Sequence, residues 1–515
     1  MEALATRASD TVYERRWWAL AVLCLNLIIV FAGNATLNVA IPALSKDLHA
    51  TTSQLQWVVS IYSLVFAGAL FTTGSIGDRF GRKGTLQGGL VLYLAGALFA
   101  TLSSSMGQLI AARAVMGLGG ALIMPSTLSI LINIFPAEER PRAVAIWAAC
   151  IGASGPLGPV LSGVLLAHFW YGSAFLVNIP IIVVALIGGR LLVPTSRDPE
   201  EAAFDPGGAV TSIIGIAALV YALIQAPTWG WGSVSTVAVF AIAAASLTAF
   251  VLWERRTAEP MLDMSYFRNR SFSTGTGGMT LVFLGMFGVM FLVIQHLELV
   301  LGYSPLSTAI RILPMTPIMM IVAPLTPRLT ARFGAHRTVA AGMLLVATGF
   351  AMFSRLGVTS SYGYVLLSFV PFITGIALAM SPMTTSIMSA VPERRAGAGS
   401  AMNDATRELG AALGVAVLGS LASSHYRSSL GSVVHALPAA QRHQATSSLA
   451  GALQLHNAAV SHGAMQAFVG GIHFAASIGV VLAVAAAAVV WRRLPAGVPA
   501  TAEEELPIAL EGAAA

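Results

Sequence analysis

The stretch "GSIGDRFGRK" at residues 74–83 places charged and glycine residues between two long apolar runs, 54–76 and 84–103. Its distinctive residues are Gly74, Gly77, Asp78, Arg79, Gly81, Arg82 and Lys83. The glycines permit a tight turn and a close approach of helices. Asp78 can cap the helix that follows or pair with one of the basic residues. A basic loop with no further role is the alternative. The pattern predicts a charged turn between two membrane spans.

The composition indicates a membrane protein. The chain has 515 residues, of which 56% are hydrophobic and 10% charged, whereas soluble domains carry about 25% charged residues. Cys24 and Cys150 lie far apart in apolar segments, which disfavours a disulfide framework. Arg15 and Arg16 lead directly into an apolar run without a small-residue cleavage site, so we expect a retained first span.

Apolar segments long enough to cross a bilayer recur along the chain. They predict fourteen spans, near 17–38, 54–76, 84–103, 107–133, 143–166, 173–193, 207–225, 234–253, 272–297, 306–328, 338–354, 362–391, 399–424 and 470–491. Most of the 28 Lys and Arg residues fall in the even-numbered connections and at the two ends. Positive charge marks the cytoplasmic side, so both termini are predicted to be cytoplasmic.

A weak internal repeat suggests the domain organisation. The sequence Arg-Phe-Gly occurs at 79–81, between spans 2 and 3, and at 332–334, between spans 10 and 11. Such repeats are typical of transporters. We therefore predict an all-α membrane protein with two six-helix bundles and two inserted helices. The predicted segments are a cytoplasmic N-terminus (1–16), a first bundle (17–193), the inserted helices with a linker (194–271), a second bundle (272–491) with a long outside loop (427–468), and a disordered cytoplasmic tail (492–515).

Spans 4 and 5 carry further unusual residues. In "RAVMGLGGA" (113–121), Arg113 is a charge inside an apolar span, where it must face a cavity or a partner. A structural pairing with backbone carbonyls is the alternative. "GASGPLGPVLSG" (152–163) concentrates helix-weakening residues, which are Gly155, Pro156, Gly158, Pro159 and Gly163.

Together these stretches resemble the major facilitator superfamily, and the fourteen spans resemble its QacA and EmrB type of drug:proton antiporter. The resemblance implies that the Asp and Arg residues of 74–83 form a charge relay that controls the two bundles. It implies that Arg113 takes part in proton transfer and that 152–163 is the antiporter motif, with Ser162 in place of the usual glycine. It also implies export by alternating access, with the cell membrane as location.

One departure concerns span 1. Members of this family carry an aspartate before "Thr-x-x-Asn-Val-Ala-x-Pro", and here "GNATLNVAIP" has Asn34. An asparagine does not titrate, so a preference for strongly cationic substrates is in doubt. Asn34 and Asn38 stay candidates for contact with a substrate, and interhelical hydrogen bonds are the alternative.

The stretch "NDATRELG" (403–410) places two acids and a base inside predicted span 13. Asp404 and Glu408 are spaced four residues apart and so share one helix face. Charged residues at such depth cost about 3 kcal/mol each on insertion scales, which favours a role in proton coupling. An Asp404–Arg407 pair that only stabilises helix packing is the alternative.

The remaining candidates for a substrate cavity are Trp57, Tyr62, Trp147, Gln295, Arg311 and Arg407. Arg311 is a further charge within a span, and a pair with Asp404 or Glu408 is one possibility. For the aromatic residues, ordinary packing is the alternative.

The sequence favours a proton-coupled exporter of hydrophobic or amphipathic small molecules, acting as a monomer in the lipid bilayer. It contains no Gly-x-x-x-x-Gly-Lys-Ser/Thr motif and no metal-ligand spacing, so we expect no cofactor and no metal. Basic residues cluster at the membrane face, so nucleic acid is not expected as a partner. Export of a lipid or cell-envelope metabolite is the closest alternative, and a membrane enzyme or a channel is more distant.

Overall fold

The structure is a computed structural model. It describes residues 14–33, 37, 44, 48, 52–166, 168–195, 205–434 and 437–495, and these residues fold into α-helices with short 3-10 and π segments. The helices are α1 (Glu14–Gly33), α2 (Thr52–Phe80), α3 (Arg82–Leu102), α4 (Met106–Ile134), α5 (Arg140–Leu166), α6 (Ser173–Leu176), α7 (Asn178–Leu192), α8 (Pro206–Trp229), α9 (Val234–Glu254), α10 (Arg270–Gln295), α11 (Pro305–Ile312), α12 (Met315–Phe333), α13 (Ala335–Phe353), α14 (Tyr362–Met388), α15 (Ala396–Val434), α16 (Ala439–Ser447), α17 (Leu449–Leu453) and α18 (Ala458–Arg493).

Thirteen stretches of the described chain are long and apolar enough to cross a membrane. They match the predicted spans except the fifth, and the fifth corresponds to the 27-residue helix α5. The predicted tenth span is interrupted between α11 and α12 at Leu313 and Pro314, because proline has no backbone N–H for the helical hydrogen bond.

Local sequence accounts for where many of these helices begin. Ser105, Asp205, Ser233 and Asn269 each cap a helix by accepting a hydrogen bond from a backbone N–H of its first turn. Gly81 precedes α3 with a φ of 106°, a conformation that favours glycine. The turn predicted within 74–83 is limited to Gly81, because 74–80 continue α2 and Arg82 begins α3.

Two helices are longer than predicted. α15 continues to Val434 and α18 begins at Ala458, so much of the predicted outside loop 427–468 is helical. The extension of α15 is held by packing, since the hydroxyl of Tyr426 donates a hydrogen bond to the carbonyl of Ala445 on α16 at 2.7 Å. The predicted tail 492–515 begins inside α18, and 496–515 lies outside the described residues.

The inserted helices α8 and α9 form a hairpin beside the bundles. α8 packs on α9, on α2 and on α15. α15 in turn packs against α10 and α18, and also against α2 and α4. α15 is thus the element on which both halves of the chain and the inserted hairpin meet.

The short turns near Gly81, 136–139, Gly334 and 392–395, together with the helix ends that flank them, carry arginine. We call the end of the bundle formed by these turns the basic end.

Candidate functional site

The first feature of the site is a buried ion pair at the basic end. Asp78 at the end of α2 and Arg82 at the start of α3 are 7% and 1% exposed, and the Arg82 Nη2–Asp78 Oδ1 distance is 2.8 Å. Arg82 Nη2 also donates hydrogen bonds to the carbonyls of Glu393 and Arg394, both at 2.9 Å. These two residues precede α15, so the pair joins the first half of the chain to the second.

Asp78 completes this junction from its other side. Its carboxylate accepts hydrogen bonds from the backbone N–H groups of Gly397 (3.0 Å) and Ala398 (3.3 Å), in the first turn of α15. A helix N-terminus has free N–H donors and a positive partial charge, so it stabilises a carboxylate. We call this set of interactions of Asp78 and Arg82 with 393–398 the basic-end contact.

Glycine makes the basic-end contact possible. A Cβ on Gly74 would lie 2.7 Å from the carbonyl oxygen of Gly397, and a Cβ on Gly397 would lie 2.4 Å from that of Gly74. Both distances are too short for real atoms, so α2 and α15 cross this closely only because both positions are glycine. A second ion pair, Arg140–Glu393 at 2.5 Å, supports the same turn from α5.

The other charged residues of the opening stretch point elsewhere. Arg79 lies over the ring of Phe80 at 5.1 Å, and Lys83 donates a hydrogen bond to the carbonyl of Arg190 on α7 at 2.9 Å. A Cβ on Gly77 would meet only ordinary contacts, at 3.7 Å and beyond. The predicted pairing of Asp78 is therefore with Arg82. Asp78 also contacts the start of α15, whereas the N-cap position of α3 is Gly81.

The second feature is a set of polar residues on α15, Asn403, Asp404, Arg407 and Glu408, which we call the α15 cluster. Asp404 and Arg407 are 2% and 3% exposed and form an ion pair at 3.4 Å. Asn403 donates to Asp404 at 3.5 Å. Oδ2 of Asp404 has no hydrogen-bond partner within the described part of the chain.

Arg407 connects the α15 cluster to neighbouring helices. Its guanidinium lies 4.5 Å from the ring centroid of Trp147 on α5 and 5.5 Å from that of Phe283 on α10. It also donates to the hydroxyl of Thr384 on α14 at 3.4 Å. Trp147 is fully buried, and its indole N–H donates to Thr127 on α4 at 3.2 Å. One cation thus contacts both halves of the chain.

Glu408 faces α2. It is half-buried, and its carboxyl group lies close to the side chain of Ser63. Tyr62 is the residue directly before Ser63 on α2, and its ring centroid lies 4.4 Å from the guanidinium carbon of Arg113. Arg113 is fully buried and donates to the carbonyl of Val58 on α2 at 3.2 Å. Arg113, Tyr62 and Glu408 thus lie along one interface between α4, α2 and α15.

Three predicted cavity residues lie away from the α15 cluster. Trp57 is 37% exposed and stacks on Tyr221 of α8 at 5.6 Å. Arg311 packs on Tyr303 at 3.9 Å and hydrogen-bonds Ser307 of its own helix, rather than an α15 acid. Gln295 donates to the carbonyl of Phe291 in its own helix at 3.1 Å.

The predicted antiporter stretch lies in α5, which is helical throughout 140–166. Gly155, Pro156, Gly158, Pro159 and Gly163 all lie within this helix. Its neighbour Gly152 packs on Met319, which would lie 2.8 Å from an added Cβ. α5 also packs against α11 and α14, so the stretch belongs to the interface between the two halves. Asn34 and Asn38 lie outside the described residues.

A cavity of about 230 Å³ opens near the basic end between α5, α12 and α14. Its lining includes Pro141, Pro327, Pro382 and Thr385. Thr385 is the chain neighbour of Thr384, the partner of Arg407.

Sequence reasoning missed several participants. Ser63, Thr384 and Glu393 contact the predicted residues from other helices or turns, and single polar residues of this kind give no signal in a sequence. Arg140 is one of the basic residues between spans 4 and 5, and the sequence indicates no partner for it. Its ion pair with Glu393 depends on contact between distant turns.

These observations define a multi-pass α-helical membrane protein whose two halves meet on buried charges, which is the architecture of a secondary transporter. The sequence matches the family model "Major Facilitator Superfamily" over residues 23–415. The chain is 36% identical over 493 residues to the multidrug efflux pump LfrA of Mycolicibacterium smegmatis, covering 94% of this chain and 97% of LfrA. It is 33% identical to the tetracenomycin C resistance and export protein of Streptomyces glaucescens, covering 80% and 76% of the two chains.

Among solved structures, the human organic anion transporter MFSD10 (TETRAN) superimposes with a TM-score of 0.62 at 14% identity. The alignment covers 92% of this chain and 99% of that one. At this identity the likeness shows the fold. The chain belongs to the Major Facilitator Superfamily and is a multi-pass protein of the cell membrane with multidrug efflux pumps among its relatives. The resemblance expected from the motifs is confirmed.

Proposed function

We propose that this protein exports hydrophobic or amphipathic small molecules in exchange for protons, by alternating access. In this proposal α5 also spans the membrane, which brings the number of spans to fourteen. The basic end and both termini face the cytoplasm. The arginine-rich turns support this orientation because positive charge is retained on the cytoplasmic side. The proton gradient supplies the energy, no cofactor takes part, and one chain is the functional unit.

The α15 cluster is the observation that carries the proposal. Asp404 and Glu408 are acids within a membrane helix, and each is linked to the first half of the chain. The carboxyl group of Glu408 lies close to Ser63 of α2, and Asp404 pairs with Arg407, which contacts Trp147. Loss of charge on either acid weakens a contact between the halves, so proton binding and rearrangement are coupled.

The basic-end contact stabilises the state of the transport cycle in which the basic end is closed. Asp78 and Arg82 hold 393–398 against α2 and α3, which closes this face of the interface. Release of this contact opens the basic end so that a substrate can reach the α15 cluster. The cavity between α5, α12 and α14 lies on the route.

The relatives support small-molecule drugs as substrates, since LfrA is a multidrug efflux pump and its Streptomyces relative exports tetracenomycin C. Asn34 removes one acid from span 1. We therefore expect neutral or weakly cationic amphipathic compounds to be preferred over strongly cationic ones.

Inside-out vesicles that contain the protein test the proposal directly. A panel of lipophilic dyes is offered with and without an imposed pH gradient, to the wild type and to Glu408→Gln and Asp404→Asn. Glu138→Gln is the matched control, because Glu138 is an exposed acid in the turn before α5. We expect dye accumulation only with the gradient, its loss in Glu408→Gln, and normal transport in the control.

Two results would redirect the proposal. Gradient-driven transport that survives both α15 substitutions would show that the cluster only stabilises packing. If no dye moves in a well-expressed wild type, export of a lipid or cell-envelope metabolite by the same fold becomes the leading function.

A further inference from the structure

Two acidic side chains meet at the base of the inserted hairpin. Asp205 caps α8, and its Oδ1 accepts hydrogen bonds from the backbone N–H of Gly208 at 2.9 Å and the indole N–H of Trp253 at 2.8 Å. Glu254 is the last residue of α9, and its Oε2 accepts a hydrogen bond from the N–H of Leu262 at 3.1 Å. The two acids are 5% and 2% exposed, although they lie far apart in sequence.

The second oxygen of each carboxyl group is aimed at the same place. Oδ2 of Asp205 and Oε1 of Glu254 are buried and have no hydrogen-bond partner in the described parts of the chain. They lie 2.5 Å and 2.4 Å from the position that a Cβ would occupy on Gly208. Because residue 208 is glycine, the two oxygens can face each other across this point.

Two buried carboxylates with facing oxygens are unfavourable when both are charged. A single proton removes one charge and provides the donor that both free oxygens lack. We propose that Asp205 and Glu254 form a proton-binding site in the inserted hairpin, separate from the α15 cluster. This inference goes beyond the proposed function, and the opening of the basic end that it invokes rests on the alternating access proposed above.

The charged surroundings are simple. Arg395 acts electrostatically on Glu254 from the turn 393–395. Tyr266, in the connection after α9, interacts electrostatically with Arg395, Asp263 and Asp78. Burial raises the pKa of Tyr266 to about 12, so it remains neutral. The proton on the pair therefore depends chiefly on the two acids and on Arg395.

The site is linked to the basic-end contact by short steps. Glu254 holds Leu262, and two residues earlier the carbonyl of Pro260 accepts a hydrogen bond from Arg395 at 3.0 Å. Arg395 follows directly on Glu393 and Arg394, whose carbonyls bind Arg82. A change of charge on the Asp205–Glu254 pair alters the electrostatic field at Arg395. It thereby alters the stability of the turn 393–395, whose carbonyls bind Arg82. The inserted hairpin thus senses pH and biases opening of the basic end.

A cysteine-accessibility experiment tests this proposal without transport. Ser400→Cys is introduced after removal of both native cysteines, because Ser400 is fully buried on α15, one turn beyond Gly397. Maleimide labelling of the purified protein is followed from about pH 5 to pH 9, which spans the range of perturbed carboxyl groups. It is compared with the same measurement in Glu254→Gln, Asp205→Asn and the control Glu138→Gln.

We expect the labelling rate of the parent and the control, divided by the rate for free cysteine at the same pH to remove the titration of the thiol itself, to vary with pH. In Glu254→Gln we expect the midpoint to move by at least about one unit, a tenfold change in proton affinity, or the variation to vanish. Glu408→Gln should retain the hairpin-dependent variation even where it abolishes transport, so the two proposals fail separately. Superimposable curves for Glu254→Gln and the parent would overturn the inference. If Asp205→Asn does not fold, the result for Glu254→Gln is sufficient to test the inference. Glu254→Gln should fold, because glutamine still accepts the hydrogen bond from the N–H of Leu262.

Discussion

Replacing Asp78 with asparagine removes the charge at the centre of the basic-end contact while keeping the shape of the side chain. In the wild type this carboxylate lies 2.8 Å from Arg82 Nη2 and accepts hydrogen bonds from Gly397 and Ala398 at 3.0 and 3.3 Å. After substitution, Arg82 remains buried at 1% exposure without its counter-charge. Breaking one partner of such a buried pair costs about 3–5 kcal/mol.

This cost applies to the closed basic end and disappears when the end opens to water. The closed-to-open equilibrium should therefore shift toward the open state by a factor of about 10² to about 4 × 10³, at about 1.4 kcal/mol per tenfold change. Maleimide labelling of Ser400→Cys measures the shift as a faster rate. Arg79→Gln is the matched control, because Arg79 belongs to the same turn but lies over Phe80. An unchanged labelling rate in a well-folded Asp78→Asn protein would refute the assignment of Asp78 to closure.

Three further outcomes are expected. Gly397→Ala places a Cβ 2.4 Å from a backbone oxygen of α2, so it should open the basic end and lower efflux; normal labelling and efflux would contradict the close crossing. Trp147→Leu removes the ring that faces Arg407, a contact worth about 2 kcal/mol when desolvated, so dye efflux should fall at least about tenfold, whereas Trp147→Phe should retain most of it. Arg16 of α1 forms an ion pair with Glu139, in the turn before α5, at 2.7 Å. The hydrogen bond from Arg16 lowers the pKa of Glu139, so the stabilisation by this pair is present above the ordinary carboxyl range and is lost as the pH falls through the depressed pKa. Proteolysis near α1 should therefore increase only at that low pH, and Arg16→Ala should show the increase already at neutral pH.

Much of the fold follows from sequence, because hydrophobic length and charge placement act locally along the chain. The span positions, the turn at Gly81 and the Asp404–Arg407 pair are of this kind. The extents of α15 and α18 could not be predicted, since polar residues continue these helices only where tertiary contacts such as that of Tyr426 stabilise them.

The candidate site was only partly predictable for a similar reason. Spacing indicates that Asp78 can meet Arg82 four residues later. It does not indicate that the N-terminus of α15 lies against the same carboxylate, because that contact spans more than 300 positions. Asp205 looks like an ordinary cap and Glu254 like an ordinary helix end. Only the packing of α8 on α9 brings them together around Gly208.

Proton coupling through the α15 cluster is the central claim, and a substrate-driven proton flux tests it most directly. Purified protein is placed in proteoliposomes without a pH gradient, and a gradient of a transported dye is imposed while the internal pH is recorded. The account predicts proton movement opposite to the dye in the wild type and in Glu138→Gln, and none in Glu408→Gln. Dye movement in the wild type without any change of internal pH would contradict it.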